Sequence, residues 1–166
     1  MTYGETGTYP RLASPVGFVP ADRVVDACEA IVAIQRDVGL EEYAETGTRI
    51  HARVGADLLV SLFAPYGPLH DGAVLIDSDT IIAAGVILPL TQFPVADKSL
   101  GTRHRAALGL SEETDALILV VSEETAQVSI ADRGRLERDV DMDRLRHILA
   151  GAAARGSGPR LATASR

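Results

Sequence analysis

Gly72-Ala-Val-Leu-Ile-Asp-Ser-Asp-Thr-Ile-Ile-Ala-Ala-Gly-Val-Ile-Leu88 decides the fold. Two apolar, β-rich runs, Gly72 to Ile76 and Thr80 to Leu88, are joined by Asp77, Ser78 and Asp79, which predicts a hairpin ended by Pro89. On its N-terminal side, Ala52 to Phe63 carries Val54, Leu58, Leu59 and Leu62 at the spacing of one amphipathic helix. Leu40 to Gly47 predicts a short helical turn closed by its glycine, Ala30 to Gln35 a central strand, and Ala21 to Glu29 (Val24, Val25, Cys28) a helix feeding it. Met1 to Pro20 has no sustained period and is expected to be an irregular arm over residues 1–20. On the C-terminal side a helix is expected over 103–110, followed at Ser111 to Thr114 by a turn or short helix. Ala116 to Ser122 and Gln127 to Asp132 are expected strands, and Asp141 to Ala154 a closing helix with Leu145, Ile148 and Leu149 on one face. The Gly, Ser, Pro and Ala-rich tail over 155–166 is expected to be disordered.

The totals suit one domain over residues 21–154. The chain has 166 residues, 46% of them apolar, enough to fill a single core. Aromatics make up 4% and Trp is absent, so the core must be aliphatic, which favours an α/β arrangement of a sheet covered by helices. A formal charge of -7 argues against a general nucleic-acid surface and makes any local basic cluster meaningful. The one cysteine, Cys28, cannot form an internal disulfide and calls for no oxidising compartment. No apolar run reaches the roughly 20 residues of a membrane span, and the start lacks a signal-peptide pattern. A soluble, cytoplasmic domain is expected, reaching a membrane only through a segment or partner outside this sequence.

Three clusters carry candidate chemistry. Pro68-Leu69-His70-Asp71-Gly72-Ala73 sets an imidazole and a carboxylate just before a buried strand, with a glycine that admits close approach; it also fits a turn in which Asp71 caps its own backbone. Gly101-Thr102-Arg103-His104-Arg105-Ala106-Ala107 places two guanidinium groups, an imidazole and a hydroxyl at a helix start, where free N–H groups and the dipole favour phosphate. An ordinary solvated helix start has the same residue types. Val121-Ser122-Glu123-Glu124-Thr125, between two strands, could hold a divalent metal beside phosphate or could be a plain polar turn. The chain has no Walker loop, dinucleotide fingerprint, paired-cysteine zinc pattern or Gly-x-Ser-x-Gly elbow. His51 and His147, on expected helices, suit surface or interface positions better than metal ligation.

In this order and separation, His70-Asp71-Gly72-Ala73, Gly101-Thr102-Arg103-His104-Arg105 and Ser122-Glu123-Glu124-Thr125 resemble the diadenylate cyclase domain family, whose signatures are Asp-Gly-Ala and Arg-His-Arg. The likeness runs from about Ala30 through Leu149, includes Tyr43-Ala44-Glu45-Thr46-Gly47, and is nearest to the subfamily that carries a membrane anchor ahead of its catalytic domain. The resemblance implies a central mixed sheet surrounded by helices, and two ATP-bound domains meeting face to face as a homodimer or within a higher oligomer. The reaction it implies joins two ATP into cyclic di-AMP with release of two pyrophosphates, with Mg²⁺ or Mn²⁺ as cofactor. Catalytic roles would fall to Asp71, Gly72, Ala73, Arg103, His104 and Arg105. Asp71 would orient the attacking 3'-hydroxyl, Gly72 and Ala73 would shape the backbone against the nucleotide, and Gly101 to Arg105 would hold phosphates. Asp71, His70 and Glu123 would serve the metal, while Glu45, Thr46, Gly47, Leu69 and Ser122 would border the adenine. A regulatory protein partner is consistent with this reading; a nucleic-acid partner is not. The sequence departs from the family pattern in its arm, which holds no membrane segment, and at Glu29, where a small residue is expected. A non-catalytic nucleotide-binding or sensing module would need loss of Asp71 or of the Arg-His-Arg residues, and neither is lost. A purely structural domain, with these clusters only capping helices and turns, is separated from an enzyme by substitution.

Overall fold

The computed structural model of this chain describes residues 30–34, 39–65, 67–95, 97, 100–122 and 125–155. The expected arm over 1–20, the helix over 21–29 with Cys28, Glu123 and the tail from 156 lie outside the described residues. Among the described residues a seven-stranded mixed sheet, in the order β2-β4-β3-β1-β5-β6-β7, carries four helices. Strands β1 (Ala30–Ile34), β3 (Ala73–Asp77) and β5 (Leu117–Val121) form its centre; β1 and β3 are parallel, and every other pair is antiparallel. Central strands are covered on both faces, which explains why β3 and β5 are unbroken apolar runs with four consecutive buried residues each.

Alternation divides the core into two layers. Ala33, Leu75, Ala83, Ile118, Val120 and Ala131 point to the face covered by α1 (Glu41–Ala44) and α3 (Thr102–Glu113). Val74, Ile76, Ile81 and Ala84 point the other way onto α2 (Ala56–Leu62), and Leu117, Leu119 and Ile130 onto α4 (Met142–Arg155). The expected hairpin is present: β4 (Thr80–Val86) follows β3 through Ser78 and Asp79, with Asp77 opposite Thr80. Ser78 takes φ 57°, the left-handed geometry such a tight turn requires.

Three expectations are corrected. The helix expected over 52–63 is only α2, because residues 48–53 form strand β2 (Thr48–Arg53) on the sheet edge beside β4. Ile50 and Ala52 are half-buried between exposed Arg49, His51 and Arg53, and His51 sits at φ 52° where the register shifts, so it lies on a bulged strand and not on a helix. The run Ser111 to Thr114 starts no second element: α3 continues through Glu113, Ser111 Oγ donates to the Leu108 carbonyl and Thr114 Oγ1 to that of Leu110. A short β7 (Arg135–Glu137), not expected from the sequence, pairs with β6 (Val128–Asp132) across Arg133 and Gly134. Among the described residues no helix is long and apolar enough to cross a membrane.

Candidate active site

Register collects the candidate residues on one edge of the sheet. Ile31 lies opposite Ala73, Ala30 opposite Val121, Ala73 opposite Val86 and Val121 opposite Val128. Since Thr48 also faces Ala84, the residues just outside these strand ends (Thr46, Gly47, Asp71, Gly72, Ile87, Ser122 and Gln127) share that edge. Neighbouring strands are about 4.8 Å apart, so the ends of β3 and β5, with β1 between them, stand about 10 Å apart.

Asp71 owes its place to two glycines. Gly72 adopts φ 138°, and a Cβ there would fall 2.6 Å from the Gly85 carbonyl carbon and 2.9 Å from the Val86 nitrogen. Gly85, at φ 65°, lies where the β3–β4 register shifts, and Leu69 packs over it. The close backbone approach turns the chain so that the Asp71 side chain stands 83% exposed at the head of β3. His70 is half-buried, with Nδ1 on the Gly67 carbonyl. A carbonyl only accepts, so Nδ1 is the donor in this contact.

Helix α3 brings the second cluster to the same edge. Its N-cap, Gly101, makes no side-chain cap bond, and its first turn holds no acidic residue, so no carboxylate there offsets the positive end of the helix dipole, which attracts anions. Arg103 Nη2 lies 3.4 Å from Asp71 Oδ1. With Asp71 so exposed the pair is worth about 0–1 kcal/mol, and a phosphate can replace the carboxylate at little cost. Thr102 and Arg105 are exposed beside it, and the Arg105 carbonyl accepts from the Thr91 N–H at 3.1 Å. His104 turns inward instead: its Nε2 is 3.2 Å from the hydroxyl of Ser129 on β6.

The remaining candidates border this pair. Thr46 Oγ1 donates to the Tyr43 carbonyl at 2.8 Å and accepts from the Ile87 N–H at 3.1 Å, tying the end of α1 to the exit of β4. Tyr43 in turn donates to Glu113 Oε2 at 2.9 Å; burial, reinforced by that carboxylate, pushes its phenol up to about 12. Ser122 donates its N–H to the Gln127 carbonyl and accepts from the Ala126 N–H, both at 2.9 Å, closing the β5–β6 connection. Asp71 and Arg103 thus meet directly, Thr46 and Ser122 share their edge of the sheet, and His104 points into the helix–sheet contact.

The model of the DisA bacterial checkpoint controller nucleotide-binding (DAC) family matches residues 24–136. The chain belongs to that family. Its similarity to the cyclic di-AMP synthase CdaA of Bacillus subtilis is 48% identity over 120 residues, covering 72% of this chain and 44% of that protein, so it spans less than half the length of this relative. The crystal structure of a double mutant of DacA from Staphylococcus aureus superposes with a TM-score of 0.76 at 38% identity, covering 86% of this chain and 93% of the other. A Bacillus cereus structure described as a hypothetical membrane spanning protein gives a TM-score of 0.71 at 45% identity, over 76% of this chain and 62% of the other.

Within this DAC domain three participants escaped the sequence reading. Gly85, inside an apolar strand run, is itself a signal of close backbone approach. Ser129, a lone hydroxyl among apolar strand residues, had to have a buried partner. Gln127 bonds Ser122 through its backbone, which no residue-type signal reveals.

Proposed function

We propose that this chain is the catalytic unit of a diadenylate cyclase, joining two ATP into cyclic di-AMP with release of two pyrophosphates. The observation that carries the reading is the convergence of Asp71 and Arg103, at 3.4 Å, on the sheet edge that also holds Ser122 and Thr46. The cyclic di-AMP synthase activity named for the Bacillus subtilis relative supports it.

The reaction is attack of a ribose 3'-hydroxyl on the α-phosphorus of a second ATP, and it needs alignment and charge neutralisation more than covalent help. Asp71 accepts the hydrogen bond of the attacking hydroxyl and so raises its nucleophilicity. Gly72 and Ala73 let backbone approach the ribose and phosphate. Arg103, Arg105, Thr102 and the open start of α3 hold the triphosphate, stabilising the pyrophosphate as it leaves. Leu69, Thr46, Gly47, Glu45 and Ser122 border the base.

Each chain carries one ATP, so a two-fold homodimer, alone or within a higher oligomer, sets each hydroxyl against the other's α-phosphorus. Among the described residues no three His, Cys, Asp or Glu side chains converge as a metal cage. Of the donors at hand, the Asp71 carboxylate fits Mg²⁺ or Mn²⁺, which take one or two protein ligands and complete their shell with phosphates and water, and His70 is a proposed second ligand better suited to Mn²⁺. Glu123 is a further proposed donor. Such an ion supplies charge neutralisation at the α-phosphate when bound. Residues 21–154 form the catalytic domain in this reading, which acts in the cytoplasm, anchored only through a segment outside this sequence or through a partner, and open to a regulatory protein.

The test is incubation of purified chain with ATP and Mn²⁺ or Mg²⁺, with nucleotides resolved by chromatography and Asp71→Asn run in parallel. Cyclic di-AMP from the wild type alone is expected. Product from the variant at the wild-type rate would refute the role of Asp71, and a dimeric, ATP-bound wild type without product would refute the cyclase reading.

A further inference from the structure

We propose that Ser129 is a positioning residue for this reaction: through His104 it sets the rotation of the first turn of α3 and so places Arg103 opposite Asp71. The inference rests on the cyclase reading for its purpose, and its geometry stands apart from it.

Ser129 is 3% exposed, one of three buried polar residues among those described. Side chains alternate along β6. Val128 and Ile130 face the α4 layer, and Ala131 faces the α3 layer, so Ser129, two residues from Ala131, lies beneath α3. Its hydroxyl lies 3.2 Å from His104 Nε2. The strand beneath is stiff, because Ser129 pairs with Val120 of β5, which in turn pairs with Ile31 of β1.

Away from the sheet the helix start is tied by the Thr91 N–H bond to the Arg105 carbonyl, 3.1 Å, while toward the sheet it rests on His104 and small side chains. Gly101 gives no side-chain cap, and the first buried residues that follow are Ala106 and Ala107, whose methyl groups offer low relief against the sheet. Successive helix residues are about 100° apart, so a ring keyed to Ser129 fixes the direction of Arg103 one step earlier. Arg103 is where that direction matters, since its guanidinium reaches Asp71 on a different element. His104 therefore acts on the helix and Arg103 acts on phosphate, although both belong to the same Arg-His-Arg run.

The experiment separates this role from a merely structural one. Calorimetric affinity for 3'-deoxyATP with Mg²⁺ is measured for wild type, Ser129→Ala, Ser129→Thr, Arg103→Ala and the Arg103→Ala/Ser129→Ala double variant. That probe lacks the attacking hydroxyl and binds without turnover. Loss of the Ser129 hydroxyl should weaken binding on the order of tenfold, in the range of couplings within one network. The threonine variant, which keeps the hydroxyl, should recover most of it, and the alanine substitution should have no further effect once Arg103 is gone. Unchanged affinity in Ser129→Ala, or an equal loss in the Arg103→Ala background, overturns the proposal. If the wild type binds 3'-deoxyATP yet makes no cyclic di-AMP from ATP, the cyclase reading fails while the positioning role is still decided by the binding cycle. No binding by the wild type overturns both.

Discussion

Replacing Gly109 by alanine should destabilise this protein, although alanine is the better helix former by about 1 kcal/mol. Gly109 lies inside α3, where the segment leaving β4 crosses the helix. A Cβ there would fall 2.3 Å from the Pro89 carbonyl oxygen and 2.7 Å from both Leu90 C and Thr91 N. All three are backbone atoms, so no side chain can swing aside. Ordinary contact begins near 3.4 Å, and the segment would have to retreat by about 1 Å, an overpacking that costs about 1–3 kcal/mol. The retreat also strains the Thr91 N–H bond to the Arg105 carbonyl, 3.1 Å, and the Thr91 Oγ1 bond to Glu112, 2.7 Å, each worth about 1 kcal/mol. Set against the propensity gain, the net loss is about 1–3 kcal/mol, or a fall in Tm of roughly 3–10 °C for a domain of this size. Thermal and urea unfolding followed by circular dichroism would measure it. Gly101→Ala, whose Cβ meets nothing within 4 Å, is the clash-free control and should cost no more than the loss of a favourable N-cap residue, about 1 kcal/mol or less. A Gly109→Ala protein as stable as the wild type, or more so, would show that the segment yields freely and that the clash argument is wrong.

Gly72→Ala should be more damaging, because it combines φ 138° with a Cβ 2.6 Å from the Gly85 backbone. A loss of about 2–5 kcal/mol is expected from strain and overlap, with cyclic di-AMP synthesis falling even below the melting transition; normal melting together with normal turnover would contradict it. Arg103→Ala should raise the Kd for ATP by roughly 10-fold or more while leaving Tm within a few degrees, since its ion pair with Asp71 is exposed and weak; unchanged affinity would remove Arg103 from the phosphate site. Tyr43, held protonated up to about 12, stabilises the fold fully below the ordinary tyrosine range near 10. That contribution should drain away between pH 10 and 12, as the unfolded phenol ionises before the folded one does. In urea titrations at stepped pH, wild type should lose stability relative to Tyr43→Phe across that window, and a gap independent of pH would refute it.

Much of this domain was legible one segment at a time. The hairpin around Ser78 and Asp79 was predicted because two apolar runs and a polar turn are local signals, and α4 because Leu145, Ile148 and Leu149 repeat at helical spacing. Strand β2 was misread because Val54, Leu58, Leu59 and Leu62 mimic one helix face extending back through Ala52. Only pairing with β4, a contact remote in sequence, makes residues 48–53 extended. The end of α3 was misread for a similar reason: Ser111 to Thr114 has the residue types of a helix start, but here the hydroxyls bond carbonyls of the preceding turn.

By itself the sequence determined the family of this chain and named the candidates for its chemistry. Asp71, Gly72, Arg103 and Arg105 are residue types whose charge, hydrogen-bonding capacity and backbone freedom are properties of single positions, readable without coordinates. Tertiary structure decided which of them meet. Sheet register brings the N-terminal ends of β1 and β3 and the C-terminal end of β5 to one edge, the Gly72–Gly85 approach turns Asp71 outward, and the buried Ser129 hydroxyl holds His104 away from its two arginine neighbours. The physical reason is that close packing and the satisfaction of buried polar groups are conditions on pairs of residues far apart in the chain, and no local pattern encodes which pair will meet.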